Sequence, residues 1–314
     1  VTATAAAERG VPSGTGANGA TLPQARVESA LAVLRAAAAN APAAFSTSFG
    51  AEDMVVLDLI CENRLPIEVF TLDTGRLPEE TYALMQRVEQ RYGETTRETS
   101  GETTVETIGV RGEERSGNLS GNLSGESQGL RLRTFYPDAE SVSALVARNG
   151  INGFFESVDK RRACCAVRKV EPLRRALAGK HSWVTGLRAG QSAARAQVGA
   201  RAFDAEHGLE KFSPLHDWTE AEVWSYLRSR EVPYNALHDR FYPSIGCAPC
   251  TRAVTPGEDP RSGRWWWEQG DAKECGLHPV ARGATEAVNA PAPGRDSEGN
   301  PQADRQVDRR EIRQ

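Results

Sequence analysis

The chain alternates between short apolar runs and segments in which apolar residues recur at helical spacing. Residues 43–49 read as a strand, and the turn Gly50-Ala-Glu-Asp53 leads into a helix predicted over 53–63, with Met54, Leu57, Ile60 and Cys61 on one side. Residues 67–72 form a second apolar strand closed by Asp73-Thr-Gly75. Pro78, a residue suited to the first turn of a helix, then starts one predicted to run to Tyr92. Further strands are predicted over 103–110, 133–136 and 181–185, and further helices over 141–149, 167–178 and 219–230, the last with Val223, Trp224 and Leu227 facing inward. This alternation predicts an α/β fold, a mostly parallel sheet flanked by helices on both faces. Such sheets bind ligands beyond the carboxyl ends of their strands, where the turns after Phe49 and Leu72 fall.

Composition sets the limits of that core. In 314 residues, hydrophobic residues make up 39% and charged residues 25%, which suggests polar tails around a normal core. Three segments lack large apolar groups: a leader over 1–24, an insertion over 112–130 that contains the repeat Ser116-Gly-Asn-Leu-Ser-Gly-Asn-Leu-Ser-Gly125, and a tail over 279–314. They are expected to be disordered, leaving 25–278 as one catalytic domain. The glycosylation sequons at Asn118 and Asn122 carry no meaning in a cytosolic chain. A net charge of −4 argues against a globally basic nucleic-acid binder, and no apolar run reaches the ~18 residues a membrane span needs. Six cysteines in a long chain without a secretory apolar region fit metal binding or redox catalysis in a reducing cytoplasm better than a disulfide frame.

Candidate chemistry concentrates in three places. The turn at Ser48–Asp53 enters a helix N-terminus, which presents free N–H groups suited to a phosphate or sulfate. Between Lys160 and Arg201 lie eleven Lys and Arg residues against one acid, Glu171. About half of them are expected on a solvated helix face and the rest around a small polyanion. Cys164-Cys165 and the C-x-x-C of Cys247 and Cys250 offer four thiolates in two close pairs, the donor set of an S4 metal site or an iron–sulfur cluster. Adjacent sulfurs share one zinc ion poorly, which favours a 4Fe-4S cluster; a vicinal disulfide beside a redox pair is the remaining reading. Cys275, in Lys273-Glu-Cys-Gly-Leu-His278, stands apart as a candidate nucleophile on a mobile segment, with Lys273 and His278 able to stabilise its thiolate. Cys61 reads as core filling. Trp265-Trp-Trp267 cannot all be buried by one face, so at least one packs near the cysteines or lines a pocket.

Taken together, Ser48-Phe-Gly-Ala-Glu-Asp53, Leu72-Asp-Thr-Gly75, Cys164-Cys165 with Arg168-Lys169, Gly186-Leu-Arg-Ala-Gly-Gln-Ser192, Lys211-Phe-Ser-Pro-Leu215, Pro233-Tyr-Asn-Ala-Leu-His238, Ile245-Gly-Cys-Ala-Pro-Cys-Thr-Arg252, Gly263-Arg-Trp-Trp-Trp-Glu268 and the Cys275 segment resemble the assimilatory adenylyl-sulfate (APS) reductases of the PAPS/APS reductase family. The resemblance covers about residues 26–278 and departs at Gly190, where members often carry an acid, and at Phe49, where many carry Ser. It implies an adenine-nucleotide α-hydrolase-like fold. It implies a 4Fe-4S cluster on Cys164, Cys165, Cys247 and Cys250, and Cys275 as the catalytic nucleophile. Lys169, Arg261 and Arg264 would contact the phosphosulfate, while Ser48, Gly50, Leu72 and Thr74 would line the adenosine side; Arg188 and Arg195 carry over as further substrate contacts. The implied activity is reduction of APS to sulfite and AMP through a cysteine thiosulfonate, with external thioredoxin as partner, no nucleic acid and no membrane, and with room for a homo-oligomer. The alternatives are a PAPS reductase, a tRNA-thiolating or adenylating enzyme of the same fold, and a non-catalytic iron–sulfur redox sensor.

Overall fold

The structure is a computed structural model, and it describes residues 23–93 and 129–268. The strand predicted over 103–110, the Asn-Leu-Ser repeat, Cys275 and the 279–314 tail lie outside the described residues. So does the leader up to residue 22.

Six strands make one sheet in the order β3-β2-β1-β4-β6-β5: β1 (Ala43–Thr47), β2 (Ile67–Leu72), β3 (Leu132–Phe135), β4 (Ser182–Val184), β5 (Arg201–Asp204) and β6 (Leu209–Phe212). Every pairing is parallel except β5 on β6, an antiparallel edge ribbon. The mostly parallel α/β sheet expected from the sequence is therefore present. Strand order reverses at β1, whose neighbours are β2 and β4, and the crevice at such a switch point is where these sheets take ligands.

Alternate residues of the inner strands feed opposite cores, as the period of two requires. Ala43, Phe45, Val69 and Val184 pack with α1 (Gln24–Ala39), α2 (Ala51–Glu62), α3 (Glu79–Tyr92) and α7 (Glu220–Ser229). Ala44, Phe70 and Trp183 pack on the other face with Leu173, Ala176 and Leu177 of α6 (Glu171–Leu177). The larger core buries one carboxylate, Asp58 on α2, and satisfies it with the hydroxyls of Tyr92 (2.6 Å) and Tyr226 (2.7 Å), which ties α2 to α3 and α7.

Several boundaries differ from expectation for local reasons. β1 stops at Thr47 because Phe49 takes a left-handed backbone (φ 59°), and α2 begins two residues earlier than predicted. Pro78 sits at the cap before α3, not within its first turn. In α7, Thr219 caps the helix through a reciprocal pair with Glu222, and Tyr226 takes the buried place given above to Trp224, which is half-buried. The helix predicted over 167–178 begins much earlier: α5 (Val158–Cys165) runs through a π turn at Ala166–Val170 into α6. Helix α1 and the β5–β6 ribbon were not predicted. The first residue of α1, Gln24, lies within the span read as leader.

Candidate active site

A cleft of about 260 Å³ opens at the carboxyl ends of β1, β2 and β4. Its wall includes all nine residues picked out above as substrate contacts: Ser48, Gly50, Leu72, Thr74, Lys169, Arg188, Arg195, Arg261 and Arg264. They come from six separated stretches of chain.

The turn after β1 is built around Asp53. Its Oδ2 accepts from the backbone N–H of Ser48 (2.6 Å) and from the Ser48 hydroxyl (2.7 Å). Burial pushes the Asp53 carboxyl up to about 6, although both Ser48 donors work to hold it down. Gly186, just past β4, has to be glycine, because a Cβ there would lie 2.1 Å from Asp53 Oδ1. Gly50 caps α2 in an extended conformation, and a Cβ there would meet only Ser48 Oγ at 3.6 Å. The left-handed turn residue is thus Phe49, and Gly50 leaves open space on the cleft side. Arg188 is buried and committed: its Nε donates to Glu52 Oε1 at 2.8 Å and a terminal nitrogen to the Trp218 carbonyl at 3.3 Å. Arg195 donates to Gln191 Oε1 at 2.7 Å.

A second, smaller cavity lies beside the cleft. Cys164, Cys165, Cys247 and Cys250 all line it, together with Arg76, Arg161, Arg168, Lys169, Arg264 and Trp265. Lys169, Arg264 and Trp265 line both cavities and form the wall between them. Thr74, at the end of the β2 turn, reaches across too: it lines the cleft while its hydroxyl lies 3.3 Å from Cys247 Sγ. Among the described residues no three His, Cys, Asp or Glu converge as they would around a single ion.

Separated stretches of chain build this cavity. The π turn follows the Cys164-Cys165 pair directly and carries Arg168 and Lys169. Arg168 donates to the Thr74 carbonyl at 2.7 Å. The Cys247–Cys250 turn is fixed to the β2 loop by Ala248 N–H on the Arg76 carbonyl (2.8 Å) and to the tryptophan run by Trp265 N–H on the Cys250 carbonyl (3.1 Å). Arg264 lies flat over Gly246, where a Cβ would fall 2.2 Å from a guanidinium nitrogen.

The thiols differ. Burial raises the Cys250 thiol to about 12. Cys164 is raised as well, by burial that Arg168 only partly offsets. For Cys247, burial is outweighed by Lys169, the Thr74 hydroxyl, Arg264 and Arg168, and this thiol falls below its ordinary value. Cys61, half-buried against the large core, is pushed up to about 12 by burial, as suits a packing residue.

Of the eleven basic residues between 160 and 201, Arg161, Arg168, Lys169, Arg188 and Arg195 line one cavity or the other. Lys160, Arg175, Lys180 and Arg201 instead pair with acids away from both. Trp265 is buried between Arg161 (4.6 Å) and Arg264 (4.8 Å), whereas Trp266 is half exposed. Trp183 also lines the cleft and is not marked by any motif, and Glu52 and Asp53, named above only as part of the Ser48–Asp53 turn, contribute their side chains to its wall. The acids carried a signal, since two consecutive acids at a helix start belong to its first turn.

This geometry agrees with the likeness to known proteins. The model of the phosphoadenosine phosphosulfate reductase domain matches residues 42–113 and 123–253. An adenosine 5′-phosphosulfate reductase of Allochromatium vinosum is 50% identical over 234 residues, 74% of this chain and 77% of that protein. One of Burkholderia cepacia is 44% identical over 234 residues, 74% and 79% of the two chains. Among solved structures, a phosphoadenylyl-sulfate reductase of Candida auris, in a phosphate complex, superposes with a TM-score of 0.52 at 25% identity, covering 72% of this chain and 90% of that one. With the family model covering the whole sheet and the four cysteines of the second cavity, the chain belongs to the phosphoadenosine phosphosulfate reductase domain family.

Proposed function

We propose that this protein reduces adenylyl sulfate to sulfite and AMP in sulfate assimilation, with Cys275 as nucleophile and an external thioredoxin as reductant in the cytoplasm. The catalytic domain of this reading is residues 25–278. The observation that carries it is the shared wall of Lys169, Arg264 and Trp265, which sets a cation-lined nucleotide cleft directly against a four-cysteine cavity. The names of the relatives in Allochromatium and Burkholderia support the same substrate.

The four thiols fit a 4Fe-4S cluster held by Cys164, Cys165, Cys247 and Cys250. Arg168 Nε and Arg264 Nε are buried without an acceptor, a costly state for cationic N–H groups that an anionic neighbour relieves. When bound, the cluster supplies negative charge that orders the cavity and tunes its field.

The protein's own residues do the rest. Ser48, Gly50, Leu72 and Thr74 receive the adenosine side. Lys169, Arg261 and Arg264 hold the phosphosulfate and offset its repulsion of an incoming thiolate. Arg188 and Arg195 also line the cleft, and Arg188 is held there by Glu52. The Cys275 thiolate attacks the sulfonyl sulfur, an S–S bond forms, and the S–O bond breaks with its electron pair leaving on AMP. A thioredoxin thiolate then attacks Cys275 Sγ of the thiosulfonate, sulfite leaves with the S–S electron pair, and the partner's second thiol attacks the resulting mixed disulfide, closing the thioredoxin disulfide and releasing the Cys275 thiolate. Sulfur gains two electrons and the dithiol loses two.

Anaerobic purification with iron and sulfide counts and a visible spectrum, followed by side-by-side turnover of APS and PAPS with thioredoxin, tests this reading. APS turnover with four irons per chain is expected; preference for PAPS overturns the substrate, and full activity without iron overturns the role of the cluster. Cys275→Ser should still bind AMP but show no sulfo-adduct by intact mass spectrometry.

A further inference from the structure

We infer that Arg161 and Glu268 form a clasp that sets where the Cys275 segment starts, which makes both of them positioning residues for the nucleophile. The inference rests on the reading above, in which Cys275 attacks the substrate.

Glu268 precedes Cys275 by seven positions. A chain of that length reaches at most about 25 Å when fully extended. The place at which Glu268 is held therefore bounds the volume the thiol can search. It is held firmly: Arg161 Nε meets Glu268 Oε1 at 2.7 Å, and a terminal nitrogen meets Oε2 at 2.8 Å, a two-pronged pair. The side chains are only 1% and 6% exposed. The tryptophans just before it close on the same region. Trp265 stacks under Arg161, and Trp267 packs edge-on against Phe155 at 4.4 Å, next to Phe154.

Arg161 belongs to α5, the helix that ends in Cys164 and Cys165, and it lines the cysteine cavity itself. One side chain thus joins the cysteine cavity to the residue seven positions before Cys275. A buried ion pair adds little net stability over apolar residues of the same size. What the planar fork adds is orientation, because it fixes both oxygens of the carboxylate where an ammonium fixes one point. The coupling has a consequence: disturbance of the cysteine cavity that moves α5 also moves the start of the Cys275 segment.

The test uses the purified holoenzyme and two variants, Glu268→Gln and the milder Arg161→Lys. Three quantities are read: iron content with AMP affinity, the single-turnover rate of the Cys275 sulfo-adduct with APS and no reductant, and the rate of tryptic cleavage after Lys273. Iron and AMP affinity are expected within about twofold of wild type in Glu268→Gln. Adduct formation should fall tenfold or more in Glu268→Gln and by a smaller factor in Arg161→Lys, and cleavage after Lys273 should quicken at least fivefold. Unchanged adduct and cleavage rates would overturn the clasp, as would a fall in adduct rate matched by an equal loss of iron. If wild type itself forms no adduct, the functional reading fails, and the cleavage arm alone decides whether the clasp exists.

Discussion

The two cavities share a wall and are held together in different ways. The nucleotide cleft rests on backbone turns at strand ends, with Asp53 gathering both donors of Ser48 and Gly186 pressed against it. Several of its polar groups satisfy one another, as Arg188 does with Glu52, while His238 Nε2 on its wall is buried without a partner. The cysteine cavity gathers four thiols and five cationic side chains, and leaves guanidinium N–H groups of Arg168 and Arg264 buried without an acceptor. The turn that floors the cleft is held by Asp53 and Gly186, whereas the cationic surroundings of the cysteine cavity are ones that an anionic group would complete. Electrostatic preorganisation favours the first arrangement for binding, and the second for tuning what is bound next door.

The largest expected effect breaks the second region while sparing the first. Cys250→Ser should lose iron, sulfide and the visible band and drop sulfite formation below detection, while calorimetry still finds AMP binding in the cleft. AMP binding lost to the same extent as iron would mean the two regions are not separable.

Gly246→Ala strikes the shared wall. Its Cβ would displace the Arg264 guanidinium, so a fall in kcat/KM of about 10–100-fold is expected from the loss of one charged contact to the developing transition state. Steady-state kinetics with iron counts would show whether the loss arises on the cleft side or the cysteine side.

Asp53→Asn probes the cleft through pH. A carboxyl raised to about 6 in the folded chain binds protons more tightly there than when unfolded. Its contribution therefore favours folding below the ordinary Asp range and is lost as pH rises through about 4 to 6, amounting to about 3 kcal/mol at most. Denaturant melts at pH 4.5 and 7 should show wild type losing stability relative to Asp53→Asn as pH increases. The opposite sign would mean the Ser48 donors outweigh burial.

Gly186→Ala crowds the same carboxylate without touching charge. Overpacking of this kind costs about 1–3 kcal/mol, and a lowered melting midpoint with the Asp53 pH dependence shifted would separate packing from ionisation in the cleft.

Hydrophobic alternation and turn residues carried most of the sheet. β2, α3 and α7 fall within a residue or so of their predicted bounds, because their apolar periods and caps are local. The β5–β6 ribbon escaped because Arg201 pairs with Glu210 on one face and Lys211, largely buried, pairs with Asp204 on the other, so charged residues stand on both faces and the strands show little apolar alternation. The π turn escaped for another reason. A helical period cannot show where one extra residue slips into a turn, and here that slip carries Arg168 and Lys169.

The sequence by itself determined the parallel α/β core and the strand-end turns and offered the candidate cysteines and cations, since each depends on neighbours within a few positions. Only the tertiary structure decided which cations face which cavity, that Lys169, Arg264 and Trp265 are common to both, and that Glu268 is gripped by Arg161. Those facts join segments up to about a hundred residues apart, and charge or spacing along the chain holds no record of such distances until the sheet has folded.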